Sequence, residues 1–156
     1  MDLAQLSQIL KTQFPDAAAE EQKAAVVIKK ESLLAVAKFL KDGELEFKNL
    51  HCVTAVDRKD KIEMVYLLYS FKHHVMLNLK VFLANEDLNI ETLSLMWHSA
   101  NWMEREVYDL FGVKFLNHPD LRRILNPDEW TDYPLRKNFA RPDFIPLPEV
   151  QGLLKK

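Results

Sequence analysis

The densest chemistry in the chain lies between Trp102 and Lys137. In the run Glu104-Arg105-Glu106-Val107-Tyr108-Asp109, Arg105 and Asp109 stand four apart and can pair along a helix surface. Glu106 and Asp109, three apart, place two carboxylates together, and such a pair shuttles a proton when burial or mutual repulsion drives its pKa values apart. The competing reading makes these charges a solvated helix face or salt bridges to a neighbouring subunit, and the sequence favours it, since structural ion pairs also perturb acids. The basic pairs Arg122-Arg123 and Arg136-Lys137 lie beside Asp120, Asp128, Glu129 and Asp132. The last 40 residues hold 7 basic and 6 acidic groups, so this is no polyanion-binding patch. Arginine here suits protein contact: its planar fork binds carboxylates and carbonyls in pairs, and its stem covers apolar surface.

The remaining reactive side chains point away from catalysis by this chain alone. His73 and His74 are adjacent and would face opposite sides of a strand, while His51, His98 and His118 show no ligand spacing. Cys52, the sole cysteine, reads as a buried, inert thiol in an apolar strand. One thiol cannot hold an iron–sulfur cluster or close an internal disulfide. The three glycines, Gly43, Gly112 and Gly152, are too scattered for a phosphate-cradling turn of either common kind. Trp97, Trp102 and Trp130 read as packing residues before they read as a stacking platform. With 21 basic against 23 acidic residues, no broad field draws the chain to nucleic acid.

The elements that must position these groups follow from periodicity. In a chain of 156 residues, 48% of them hydrophobic, one core is expected. Leu3, Leu6, Ile9, Leu10 and Phe14 predict a helix ending before Pro15, and Ala24 to Lys30 predicts a strand. Ser32 is placed to cap a helix carrying Leu33, Leu34, Val36, Ala37 and Leu40, with Gly43 ending it. Three extended runs follow, near Leu50–Asp57, Ile62–Phe71 and His73–Leu83; in the last, Val75, Leu77, Leu79, Val81 and Leu83 form one wholly apolar face. Asn89 is read as the cap of a helix with Ile90, Leu93, Leu95 and Met96, and a further helix from about Asn101 carries Met103, Val107, Leu110 and Phe111 up to Gly112. The longest apolar stretch, Met64 to Phe71, is under half of what a membrane-spanning helix needs. The opening Met-Asp-Leu-Ala-Gln lacks the features of a secretory signal, so a bacterial cytoplasmic chain is expected.

After Gly112 the composition changes. Pro119, Pro127, Pro134, Pro142, Pro146 and Pro148 break regular structure, while Leu121, Ile124, Leu125, Trp130, Tyr133, Leu135, Phe139 and Phe144 need a surface to lie on, either the chain's own sheet or another protein. The expected division is an α/β sheet domain over 1–116 and an extended partner-docking tail over 117–156, within one structural domain.

The segment Glu104 to Phe115, then His118-Pro119-Asp120-Leu121-Arg122-Arg123-Ile124-Leu125-Asn126-Pro127-Asp128-Glu129-Trp130, then Pro134-Leu135-Arg136-Lys137, strongly resembles the signature of the thirty-kilodalton subunit family of respiratory NADH:quinone oxidoreductase, complex I. The dense match spans about Trp97 to Phe139, and Thr54-Ala55-Val56-Asp57 at a strand end fits as well. The resemblance implies an α+β fold, a two-layer sandwich of a mixed sheet with helices, followed by the proline-rich C-terminal segment. Three departures stand out: Asn117 where the family usually has Gly, Tyr133 where it has His before Pro, and Asn138-Phe139-Ala140 where it has Asp-Phe/Tyr-Pro. Asn tolerates the left-handed backbone that Gly would adopt at 117.

The implied role is a non-catalytic subunit of the peripheral arm, on the cytoplasmic side of the bacterial inner membrane. It would dock on the large quinone-site subunit and the terminal-cluster subunit, with FMN and iron–sulfur clusters held by partner subunits. Glu104, Arg105, Glu106, Asp109, His118, Pro119, Asp120, Arg122, Arg123, Trp130, Arg136 and Lys137 would then be signature and partner-interface residues. Two alternatives stay open. One is the equivalent subunit of a ferredoxin-dependent quinone reductase or a membrane-bound hydrogenase; the other is a free-standing enzyme using Glu106, Asp109 and His118 as acid and base groups. The purified chain is expected to contain no FMN, iron or nucleotide, and stoichiometric visible absorbance from a bound cofactor would contradict this.

Overall fold

The computed structural model describes residues 3–22 and 25–140. Its elements are α1 (Leu3–Gln13), β1 (Ala18–Gln22), β2 (Ala25–Ile28), α2 (Leu33–Asp42), β3 (Asn49–Asp57), β4 (Lys61–Ser70), β5 (Val75–Ala84), β6 (Asn89–Glu91), α3 (Ala100–Phe111) and β7 (Lys114–Leu116). Five strands form a mixed sheet in the order β1-β2-β5-β4-β3, with β2 and β5 parallel and the other neighbours antiparallel. The expected α+β architecture is present. Register places Val26, Ile28, Ile62, Met64, Tyr66, Leu68, Leu77, Leu79, Val81 and Leu83 on one face. That face is buried in a single core with Leu6 and Leu10 of α1 and Leu33, Val36, Ala37 and Leu40 of α2. The alternation read in β5 is therefore the pleat of a half-buried strand.

β3 ends the sheet, and its outward backbone groups need partners. α3 supplies them. Ser99, just before the helix, donates its hydroxyl to the Leu50 carbonyl at 3.1 Å, and Met103 Sδ accepts the Val53 N–H at 3.3 Å. A bulge between Leu50 and Cys52 bends the strand at this place.

Several local expectations are corrected. Asn89 does not start a helix: Asn89, Ile90 and Glu91 pair in parallel with Lys114, Phe115 and Leu116 as β6 and β7, and Leu95 is 70% exposed. Burial of Ile90 and Leu93 at a spacing of three resembles a helix turn but serves a short strand and a turn. β1 escaped the sequence reading because Ala18-Ala19-Glu20-Glu21-Gln22 carries no apolar alternation. Ser32 makes no side-chain cap, since a 3-10 turn over Lys30–Ser32 leads into α2. Gly43 ends α2 in extended backbone, where a Cβ would lie 2.5 Å from the Phe39 carbonyl oxygen. His73 and His74 occupy the β4–β5 turn, with His74 at φ 49. With few glycines available, Glu46, Lys59, His74 and Asn117 take left-handed turn positions; Asn117, at φ 61, does what was expected of it.

Of the proline-rich tail, residues 117–140 are described and contain no helix or strand; Pro142, Phe144, Pro146 and Pro148 lie outside the described residues. The described part lies on the chain's own fold. Gly112 closes α3 at φ 80, and a Cβ there would sit 2.6–2.8 Å from the Tyr133 ring. Gly112→Ala should therefore cost about 2–4 kcal/mol from the left-handed backbone and the clash together. Denaturant unfolding measures this, and loss of less than about 1 kcal/mol would show that the tail does not pack here.

Candidate functional site

Four of the residues that close α3 define the site. The last four carbonyls of any helix lack partners within it, and here each is met. Gly112 N–H donates to Tyr108 at 2.9 Å, Arg123 Nη1 to Asp109 at 2.9 Å, Leu135 N–H to Leu110 at 3.1 Å, and Arg136 Nη1 to Phe111 at 3.4 Å. Two guanidiniums at the negative end of a helix also gain from its dipole. The tail is thus the C-terminal cap of α3.

Asp109 anchors the same segment by its side chain. Its carboxylate is fully buried. Oδ2 accepts the backbone N–H groups of Ile124, Leu125 and Asn126 at 2.7–3.0 Å, while Oδ1 accepts Arg123 Nη1 at 2.7 Å and the Asn126 amide at 2.9 Å. Burial pushes its pKa up, but these donors outweigh burial and hold it far below the usual range. Asp57, at the end of β3, repeats the device. It accepts Lys59 N–H at 2.6 Å and Lys137 N–H at 2.9 Å, and faces Arg136 Nε at 3.4 Å. Burial again works upward, and the two N–H donors and the Arg136 charge prevail.

Glu104 is the opposite case. It too is fully buried, but receives only Leu93 N–H at 2.8 Å and the Thr92 hydroxyl at 2.5 Å. Burial dominates and lifts its pKa to about 7. His118 Nε2 lies 3.8 Å away, beyond hydrogen-bond reach. Asp120 N–H donates to His118 Nδ1 at 3.0 Å, so in the neutral ring the proton sits on Nε2, which faces the Asn101 carbonyl at 3.2 Å. Burial holds the imidazole below its ordinary pKa. Both ring nitrogens are therefore committed to backbone.

The expected Arg105–Asp109 pair does not form, because both side chains reach the tail instead. Arg105 is buried, donates Nε to the Arg122 carbonyl at 3.2 Å, lies 3.7 Å from Asp120 and stacks on exposed Trp102. Glu106 and Asp109 share no face, since Glu106 is exposed. The solvated-face reading of these helix charges is corrected as well, because Glu104, Arg105 and Asp109 are all core residues. Arg123 and Arg136 turn their guanidiniums into the chain. Arg123 also reaches the Asp132 carbonyl and the Tyr133 ring, and Arg136 reaches Asn85 Oδ1 at 3.0 Å. Arg122, Pro119, Asp120 and Lys137 stay exposed, and Arg122 Nε pairs with Asp120 at 3.0 Å. Trp130 is half-buried beside Phe139. Cys52 is partly exposed in β3, and burial raises its thiol pKa, helped by Glu106.

Asn85, Thr92 and Asn101 complete the network and were not singled out by sequence, while Asp57, Asn126 and Tyr133, named there without a partner, join it. The stripe Ala100, Glu104, Val107, Phe111, spaced four, three and four, carried a usable signal: it puts Glu104 in a core position. Among the described residues no group of three or more His, Cys, Asp or Glu could hold a metal ion.

The ordered signature from Glu104 to Lys137 is thus one physical unit. A sequence model of the family described as respiratory-chain NADH dehydrogenase, 30 Kd subunit, matches residues 26–144. The chain belongs to this family. The NADH-quinone oxidoreductase C subunit of Geobacter sulfurreducens is 47% identical over 118 residues, covering 73% of this chain and 72% of that one. The corresponding protein of Moorella thermoacetica is 41% identical, covering 85% and 91%. Among solved structures, a trypsin-resistant fragment of Nqo5 superposes with TM-score 0.64 at 28% identity, over 74% of this chain and 98% of the fragment. A chain of the archaeal membrane-bound sulfane sulfur reductase shares the fold, with TM-score 0.71 at 24% identity, over 88% and 85%.

The two buried carboxylates of α3 carry opposite pH signatures. Glu104 binds its proton more tightly folded than unfolded. Its contribution is complete below the ordinary value near 4.5 and is lost as pH rises through about 7. Asp109 contributes above the ordinary carboxylate value and loses its contribution only as pH falls through its depressed folded value. Relative to Glu104→Gln, the native chain should lose about 2 kcal/mol of unfolding free energy between about pH 5.5 and pH 8. Parallel pH profiles from denaturant titrations would place the proton elsewhere.

Proposed function

We propose that the chain is a non-catalytic subunit of the peripheral arm of a proton-translocating NADH:quinone oxidoreductase, scaffolding the subunits that carry the terminal iron–sulfur cluster and the quinone site. One observation carries this reading. Asp109, His118 and Arg123 are spent on hydrogen bonds inside the chain, and both terminal nitrogens of Arg136 are engaged there too. FMN and the clusters are then cofactors of partner subunits. NADH oxidation, quinone reduction and proton translocation belong to the assembly, and attachment to the cytoplasmic face of the membrane comes through it. Among the described residues no helix is long and apolar enough to cross a membrane.

Glu106, exposed on α3, Asp109, locked below the tail, and His118, bonded to backbone through both ring nitrogens, do not come together as the acid and base groups of a free-standing enzyme. The shared fold in the sulfane sulfur reductase complex favours a second reading, the equivalent subunit of a related membrane complex. Against it, the curated relatives above are named as NADH-quinone oxidoreductase subunits.

The surface left for partners is what stays exposed around the internal network: Trp102 and Glu106 on α3, Pro119, Arg122 and Lys137 on the tail, with exposed Leu125 and Leu135 beside them. Affinity purification from native membranes should recover the chain with the quinone reductase core. Arg122→Ala should lower the amount of assembled complex while leaving the quinone reductase rate per cluster nearly unchanged, because an interfacial charge pair costs about 2–5 kcal/mol when cut but takes no part in chemistry. Normal assembly with a rate lowered about a hundredfold, roughly 2.7 kcal/mol of barrier, would overturn the scaffold role.

A further inference from the structure

Beside the Asp57 anchor lies a cleft of about 340 Å3 bounded by Asp57, Lys59, Asn85, Arg136, Lys137 and Asn138. Three of these residues are cations and one is an anion. The anion is already committed, its two oxygens receiving the backbone N–H groups of Lys59 and Lys137 and its outer edge facing Arg136. Asn85 is committed too, since its Oδ1 accepts Arg136 Nη2 at 3.0 Å and its Nδ2 donates to the Lys59 carbonyl at 2.8 Å. Lys59 is fixed in left-handed backbone at φ 75 between these two clamps.

This arrangement roots two lysine stems on one carboxylate, so their positions are set by the fold. Both lysines are exposed, and among the described residues no ion pair or hydrogen bond engages either ammonium. Arg136 Nε, buried at the base, also lacks a hydrogen bond of good geometry. Like charges held side by side with their nearest anion spent repel one another. An incoming carboxylate relieves that repulsion and finds two cations whose backbone is held in place, which is how charge complementarity fixes register between proteins.

We infer that this cleft is a docking socket for an Asp or Glu side chain of a neighbouring subunit, with Lys59 and Lys137 as its paired donors and Arg136 behind them. The inference rests on the assembly reading above and adds to it a location and a chemistry. The walls offer no aromatic ring, helix N-terminus or glycine-rich turn to a nucleotide, and they are open enough to admit a side chain on a protein surface.

The test uses the assembled complex purified from native membranes. A carbodiimide joins an ammonium to a touching carboxylate as an amide and takes up the water lost as its urea. Mass spectrometry of the digest should show Lys59 or Lys137 joined to an Asp or Glu of another subunit. In addition, the Lys59→Glu/Lys137→Glu double variant should lower assembled complex about tenfold, with the Lys→Arg pair near native and the melting temperature of the isolated chain unchanged.

Cross-links confined to Asp143 or Glu149 of this chain would overturn the inference, as would native assembly of the double variant. Protection of both lysines by inorganic phosphate in the isolated chain, with no such cross-link in the complex, would assign the cleft to a free anion instead. In each of these results the chain still co-purifies, so the assembly reading stands; a chain that never co-purifies with other subunits removes both.

Discussion

The structure depends on how one helix ends. α3 finishes with four carbonyls that its own backbone cannot satisfy and with a carboxylate, Asp109, that has no access to water. Left alone, each group would carry the cost of a buried, unpaired polar atom, about 1–3 kcal/mol and more for the charge. Gly112 N–H meets the Tyr108 carbonyl, and residues 123–136 meet the other groups with three backbone N–H groups on Oδ2, the Leu135 N–H, an amide and two guanidiniums. An irregular, proline-broken segment can serve because the prolines spend no N–H groups and stiffen the approach. The same contacts make the tail part of the fold, so a division at residue 117 separates two sequence compositions and cuts through the cap of α3. Truncation there would strand Asp109 in the core.

What α3 gains at its end it passes to the sheet. The helix lies along the last strand, closing an edge that would otherwise be free to pair, and Ser99 and Met103 fix its position by contacts to Leu50 and Val53. Tail, helix and edge strand are therefore serially dependent: the cap holds the helix, the helix holds the edge, and Asp57 at the end of that strand returns to hold the tail at Lys137. A closed loop of this kind is stiff because each member is tied to the next by partly buried hydrogen bonds, charged ones at Asp109 and Asp57.

The long elements were legible in the sequence because burial on one face imposes a period. β5, α1 and α2 showed it, β3 and β4 stood out as extended runs, and Gly112 marked the end of α3. Short elements were illegible for the matching reason: three residues of β6 cannot establish a period, and β1 has no apolar alternation to show. The site was legible in composition but not in geometry. Charges on a helix are assigned to solvent by default, and the default failed at Glu104, Arg105 and Asp109 because their partners lie 11 to 17 residues downstream or upstream, in segments with no pattern of their own. The resemblance to the family drew attention to this segment without its geometry; Arg123 and Arg136 act first on their own chain.

Two carboxylates five residues apart on one helix end up on opposite sides of their ordinary pKa, and the difference is the number of N–H donors. Asp109 has backbone amides and a guanidinium in place of water, so its ionised form is solvated by the protein. Glu104 lies deeper and has one amide and one hydroxyl against that burial, so the proton stays to about pH 7. The fold keeps a full charge where it must recruit an irregular segment and an acid that is protonated up to about pH 7 where it must only join β6 to α3. A charge attracts several donors at once and organises a loop, whereas a neutral carboxyl can sit among apolar neighbours without demanding more. That asymmetry explains why the ionised anchors, Asp109 and Asp57, both grip the tail, and why the surface beyond them presents unspent cations, with their anions already turned inward.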